Sequence, residues 1–252
     1  MMRIARPEYR GLLRSALASI LLPALLAVPV ALAGMSELGL SALFPVKCLA
    51  ILGVGAALVL RGLPQYHPFH SIGSANHATI ARGMLVILLA ALLGEHGGPV
   101  IQVLALAVGA IAAILDGVDG WLARKTNMAS RFGARFDMET DALLIFVLAA
   151  LAWQFDKAGV WVLISGLLRY AFVLGGLALP WLRAPLVPSF RRKAVAVLQV
   201  IALLIAIAPF VAPSVSAPLT GAALLALALS FVIDVAWLKR HETQPGTSAP
   251  AC

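Results

Sequence analysis

The sequence predicts an all-α polytopic membrane protein, on three observations. Of its 252 residues, 62% are hydrophobic and only 12% are charged, where ordinary soluble domains carry about 25% charged residues. The mean hydropathy is +0.97. Apolar runs recur along nearly the whole chain, each close to the roughly 20 residues that cross a bilayer as a helix. These runs are continuous rather than alternating, which disfavours a β-barrel.

Taken in order, the apolar runs between polar breaks predict eight spans, near 16–34, 43–60, 79–94, 99–115, 138–155, 159–179, 194–211 and 217–238. Arg3, Arg6, Arg10 and Arg14 precede the first. Its length and the lack of a clear small-residue cleavage site favour a retained anchor over a removed signal peptide, with the 1–14 arm lying on the membrane surface. Segment 61–78 reads as a linker between the first two spans and the other six. The tail His241–Cys252 is polar and rich in Pro, Gly, Ser and Thr, a composition that predicts disorder.

Charge sets the orientation. With the N-terminus in the cytoplasm, loops 61–78, 116–137 and 180–193 and the tail from Lys239 all lie inside, and only Lys47 and Lys157 face the other compartment. That is the arrangement the positive-inside rule favours, and it predicts a multi-pass protein of the cell inner (cytoplasmic) membrane. The net charge of +8 therefore reads as topology and contact with anionic membrane lipid, with no nucleic-acid partner. Cys48 and Cys252 describe neither a disulfide framework nor a metal knuckle.

One window concentrates the chemistry. Asp116, Asp119, Asp137 and Asp141 fall within 26 residues, and with Glu139 they make five of the chain's eleven acidic residues. Ionisable groups at the edge of an apolar segment are costly to keep and mark function by default. Asp116 and Asp119 are three apart and Asp137 and Asp141 four apart, so each pair shares a helix face. A short connection, Gly120 to Phe136, brings the two pairs face to face.

Four such carboxylates need positive charge to stay ionised together. Hard divalent cations, Mg²⁺ or Mn²⁺, prefer oxygen ligands and supply it, and two of them form a known clamp for phosphoryl chemistry. Gly120 and Gly133 leave room for a ligand against the backbone, and Arg124 offers a forked donor for phosphate oxygens. The competing reading is a solvated loop whose aspartates pair with Arg124, Lys125, Arg131 and Arg135.

The pattern Asp-x2-Asp-Gly-x2-Ala-Arg-x8-Gly-x3-Asp-x3-Asp is met at every fixed position by Asp116, Asp119, Gly120, Ala123, Arg124, Gly133, Asp137 and Asp141. It resembles the signature of the CDP-alcohol phosphotransferases, also called CDP-alcohol phosphatidyltransferases. Asn76-His-Ala-Thr79-Ile-Ala-Arg82 is similar to the family's Asn-x2-Thr-x2-Arg lead-in, and Arg192-Lys193…Gln199 to the basic entry of a later helix. The resemblance implies a six-helix catalytic domain over 73–240. It would be preceded by an N-terminal arm and two extra transmembrane helices over 1–72 and followed by the tail 241–252.

The resemblance further implies transfer of a phosphatidyl group from CDP-diacylglycerol to the hydroxyl of an acceptor alcohol at the cytoplasmic face, with release of CMP. By similarity, Asp116, Asp119, Asp137 and Asp141 hold two divalent ions. Asp141 also acts as general base, and Gly120, Ala123, Arg124 and Gly133 line the CDP pocket. A homodimer is implied in the same way.

Arg135, Arg169 and Lys193 are the candidates for an acceptor phosphate, glycerol 3-phosphate being one such acceptor. Arg169 lies inside a span, where it needs an anion or a polar cavity, and a motif aspartate is its alternative partner. Asp234 is expected to pair with Lys239 and Arg240 at a helix end. The competing function classes are a divalent-cation transporter and a non-catalytic scaffold. Transporters tend to hold their acids at the bilayer midplane, often in repeated halves; here the acids lie at the predicted membrane edge without a repeat.

Overall fold

A computed structural model describes residues 32–66, 74–96, 98–126, 131–184 and 189–242, with positions 25, 29 and 186; side-chain burial is described for all of these except 59, 62–66, 74–76, 118–126, 131–132 and 242. Within them all regular structure is helical and no strand occurs. The long helices are α1 (Leu43–Tyr66), α2 (Ser74–Ala91), α3 (Gly98–Thr126), α4 (Arg131–Gln154), α5 (Ile164–Ala178), α6 (Phe190–Ile207) and α7 (Pro213–Glu242). Short 3₁₀ turns, Val160–Leu163 and Pro180–Arg183, lead into and out of α5.

Most of the expected first span and of the tail lies outside the described residues; positions 32–38 are helical, and His241 and Glu242 of the expected tail belong to α7. The stretches Gly98–Gly117, Val160–Ala178 and Pro213–His241 are long and apolar enough to cross a membrane, and Leu43–Leu58 and His77–Ala91 are shorter apolar helices. Many large apolar side chains point outward, among them Ile114, Leu174, Leu177, Leu225 and Val232. In water that would be a liability, whereas against lipid it is the favoured arrangement.

Two helix limits differ from the apolar runs. Helix α3 continues through Thr126 and α4 begins at Arg131, so most of the expected Gly120–Phe136 connection is helical. The apolar runs end where charge begins, but charge does not break a helix; the residues beyond Ile114 are ordinary helix formers apart from two glycines. Likewise α1 runs to Tyr66 and α2 starts at Ser74, so the expected 61–78 linker is mostly helix.

Helix α4 is the central element, packed against α1, α2, α5 and α6. Its residues Leu148, Ala149, Leu151 and Ala152 have no exposed surface, as expected of a helix apolar on every side. Small residues let its neighbours approach. A Cβ at Gly166 of α5 would lie 2.5 Å from Phe146 Cα, and one at Gly109 of α3 would meet Leu204 Cδ2 at 2.8 Å and Leu148 Cδ2 at 3.2 Å. Close backbone approach over small residues is how membrane helices gain packing when no hydrophobic gradient drives them together.

The end of the bundle away from the aspartates is tied by polar contacts. Gly94 (φ 80°) and Gly98 (φ 57°) bracket the α2–α3 turn in the left-handed region, which glycine enters without steric cost. That turn presents Glu95, which is buried. Glu95 accepts from the Ser41 backbone N–H and hydroxyl, both at 2.8 Å, and pairs with Lys47 of α1. With Leu40, Phe44 and Cys48 in the common core, this clasp docks α1 on the bundle. Buried Lys157 donates to the carbonyls of Ala208 (3.0 Å) and Val211 (2.6 Å), tying the end of α4 to that of α6.

Burial pushes the Glu95 carboxyl up, but its bonds from Lys47 and Ser41 outweigh burial and hold it below the ordinary glutamate value. A depressed folded value means the clasp contributes fully above the unfolded glutamate range, about 4.3, and is lost as pH falls through the folded value. Glu95→Gln should cost about 1.5–3 kcal/mol at neutral pH, the scale of hydrogen bonds to a charged group. In thermal melts the gap between variant and wild type should narrow as pH drops below that range. A gap independent of pH would refute the assignment.

Candidate metal centre

The opposite end of the bundle gathers the carboxylates. Asp116 comes from α3, and Asp137 and Asp141 come from successive turns of α4. One carboxylate oxygen from each lies within 4.8 Å of the others. Their side chains are about 40% exposed, so each has one side toward solvent and one toward the bundle.

On the bundle side sits Arg82 of α2, whose side chain is fully buried. Its Nη1 pairs with Asp116 Oδ1, and its Nη2 pairs with Asp137 Oδ1 and lies 3.2 Å from Asp141 Oδ1. The guanidinium fork thus joins three helices at one point, a task suited to its planar, multiply donating geometry.

Asp137 lies just before the apolar run of α4. Burial pushes its carboxyl above the usual carboxylate range, opposed by Arg82; Asp116 adds to the rise and Lys193 opposes it. The charge of Lys193, exposed on the first turn of α6, therefore bears on the cluster.

The remaining expected residues fall as follows. Asp119, Gly120, Ala123 and Arg124 belong to the helical run of α3, but their side-chain surroundings lie outside the described residues. Gly133 and Arg135 stand on the first turns of α4, with Arg135 exposed. Arg169 pairs with Glu139, Nη2 to Oε1 at 2.6 Å and Nε to Oε2 at 3.3 Å. Its acidic partner is thus not a motif aspartate but Glu139, two residues from both Asp137 and Asp141 and so on roughly the opposite side of α4. Asp234 pairs with Arg191 (2.5 Å) and Arg192 (3.3 Å) of α6, not with Lys239 or Arg240. Those two sit on its own helix beyond the i+4 position, whereas the first turn of α6 packs directly across.

Arg82, the last residue of the Asn76–Arg82 lead-in, carries no site role in the sequence expectations. An arginine eight residues into a helix, followed by an apolar run, signals a need for an acidic partner; which acid requires the fold.

The donor set suits a hard divalent cation: all oxygen, clustered at ligand spacing, with no thiolate or imidazole in the group. Asp116, Asp137 and Asp141 would hold it, and such an ion would supply charge compensation to phosphate oxygens.

The profile of the CDP-alcohol phosphatidyltransferase family matches residues 73–234, more than half of the chain and all of the region that carries these side chains. The chain belongs to the CDP-alcohol phosphatidyltransferase family. Among curated proteins it is 34% identical over 82 residues to the CDP-diacylglycerol--glycerol-3-phosphate 3-phosphatidyltransferase of Bacillus subtilis (strain 168), a match that spans 32% of this chain and 42% of that relative. The chain thus covers less than half the length of that relative. No solved structure matches it. Membership in this family of transferases accounts for the cluster's make-up and for the membrane-type helices around it.

Proposed function

We propose that this protein transfers a phosphatidyl group from CDP-diacylglycerol to the hydroxyl of glycerol 3-phosphate, releasing CMP, as a step of phospholipid biosynthesis. The observation that carries the reading is the convergence of Asp116, Asp137 and Asp141 on one point at the end of an apolar bundle. The choice of acceptor is supported by the partial relative's name and by the basic residues near the cluster.

In this reading Asp116, Asp119 and Asp137, with Asp141, hold two divalent cations, Mg²⁺ or Mn²⁺, which when bound offset charge on the diphosphate. Gly120, Ala123, Arg124 and Gly133 line the CDP pocket. Arg135, Arg169 and Lys193 are assigned to the acceptor phosphate, Arg169 on exchanging Glu139 for it. Asp141 accepts the proton of the acceptor hydroxyl. The new bond forms between that oxygen and the phosphorus nearest the lipid, the bond from that phosphorus to the CMP oxygen breaks, and CMP departs as the anion beside Arg124. The site lies at the cytoplasmic face of the inner membrane, with residues 1–72 as an N-terminal anchor added to the catalytic domain. A homodimer follows from the family resemblance.

The test is CMP release by the purified full chain in mixed micelles with CDP-diacylglycerol and Mg²⁺ or Mn²⁺. The acceptors offered are glycerol 3-phosphate, inositol phosphate, serine and glycerol. Release is expected with glycerol 3-phosphate; release with another acceptor alone would move the substrate, and release with none would overturn the enzymatic reading.

A further inference from the structure

Gln199 is fully buried on α6, and neither its Nε2 nor its Oε1 has a hydrogen-bond partner. An amide left unpaired in an apolar interior is unfavourable. Such an exception calls for a reason, of which an absent ligand is one.

Its depth follows from the packing. Gly109, Leu89, Leu148 and Leu204 meet at one level of the bundle. Arg82, Asp116 and Asp141 each lie seven residues from that level along α2, α3 and α4, toward the end where Lys193 bears on Asp137. Gln199 lies five residues from Leu204 along α6 in the same direction. At about 1.5 Å per helical residue, Gln199 is within about 3 Å in depth of the aspartate layer, on its inner side.

Its direction follows from the stripe it belongs to. Gln199, Leu203 and Ile207 repeat every four residues and all are fully buried, the two apolar ones in the common core. Helix α6 packs on α7 along its length and also on α3 and α4, the two helices that carry the aspartates; the core that Leu203 and Ile207 share is built with residues of α3 and α4 and none of α7. The amide therefore faces the bundle interior beneath the carboxylate cluster.

The geometry points to Gln199 as a further binding residue of this site, the inner wall against which an oxygen-rich ligand is held. An amide carries two N–H donors and a carbonyl acceptor. The donors suit the free oxygens of a diphosphate, and the acceptor suits a water bound to a divalent cation. The inference rests on reading the cluster as a divalent-cation and CDP site.

The test compares wild type with Gln199→Met and Gln199→Leu, two apolar replacements of similar volume of which one folded variant suffices. Mn²⁺ binding, and CDP binding in saturating Mn²⁺, are measured on the full chain in detergent, alongside thermal melts. Removing an unpaired amide should leave the melting temperature unchanged or raise it. At the same time Mn²⁺ affinity should fall tenfold or more if the partner is a cation's water, or CDP affinity should fall by that factor at unchanged Mn²⁺ affinity if the partner is the diphosphate. Both affinities within twofold of wild type would overturn the inference and leave Gln199 a structural residue. Wild-type protein that binds neither probe would overturn the reading of the cluster itself, and the inference with it.

Discussion

Asp141→Asn should lower CMP release by about 10²–10⁴-fold, the range supplied by a positioned general base. The change preserves shape and leaves an oxygen for Arg82, which lies 3.2 Å from Asp141 Oδ1. It removes only the charge and the ability to take a proton. Because Asp141 is about 40% exposed and Arg82 keeps its other two partners, folding should survive, as thermal melts and circular dichroism would show. An asparagine variant that turns over like wild type would remove Asp141 from the chemistry, and with it the mechanism proposed above.

Arg82→Met should be the most destabilising of the single changes considered. It leaves three carboxylates with oxygens within 4.8 Å of one another and without the buried cation that joins them. Removing one partner of a fully buried pair costs about 3–5 kcal/mol; the acids left here are about 40% exposed, which lowers the cost of each, but one cation serves three of them. Some of that loss should return in millimolar Mn²⁺, since a ligand that binds only the folded state stabilises it by mass action. The expected signature is a large drop in melting temperature without metal and a larger upward shift on adding Mn²⁺ than wild type shows. Arg82→Lys, with charge but no fork, should fall between the two. A melting temperature for Arg82→Met within a degree or two of wild type would show that the carboxylates hold their places without it.

The membrane class was legible because it depends on composition summed over long windows, where individual residues average out. The motif aspartates were legible because helical spacing places Asp137 and Asp141 on one face whatever surrounds them. Helix limits were less legible. Hydropathy marks where lipid stops, and α3 runs on through Trp121 to Thr126 because charge does not break a helix, and Leu122, Ala123, Arg124 and Lys125 are good helix formers. Partner choice was the least legible. Arg169 finds Glu139, and Asp234 finds Arg191 and Arg192, since any of several nearby acids or bases would satisfy a charge locally.

The sequence by itself determined that this chain is a helical membrane protein and that Asp116, Asp137 and Asp141 share one end of it with the family's motif. Only the tertiary structure decided that Arg82 joins those aspartates, that Glu95 docks α1 at the other end, and that Gln199 lies buried and unpaired on α6. Each of these depends on helices distant in sequence meeting at one depth. The bundle's packing around α4, with the close approaches at Gly109 and Gly166, sets those depths, and no local pattern encodes them.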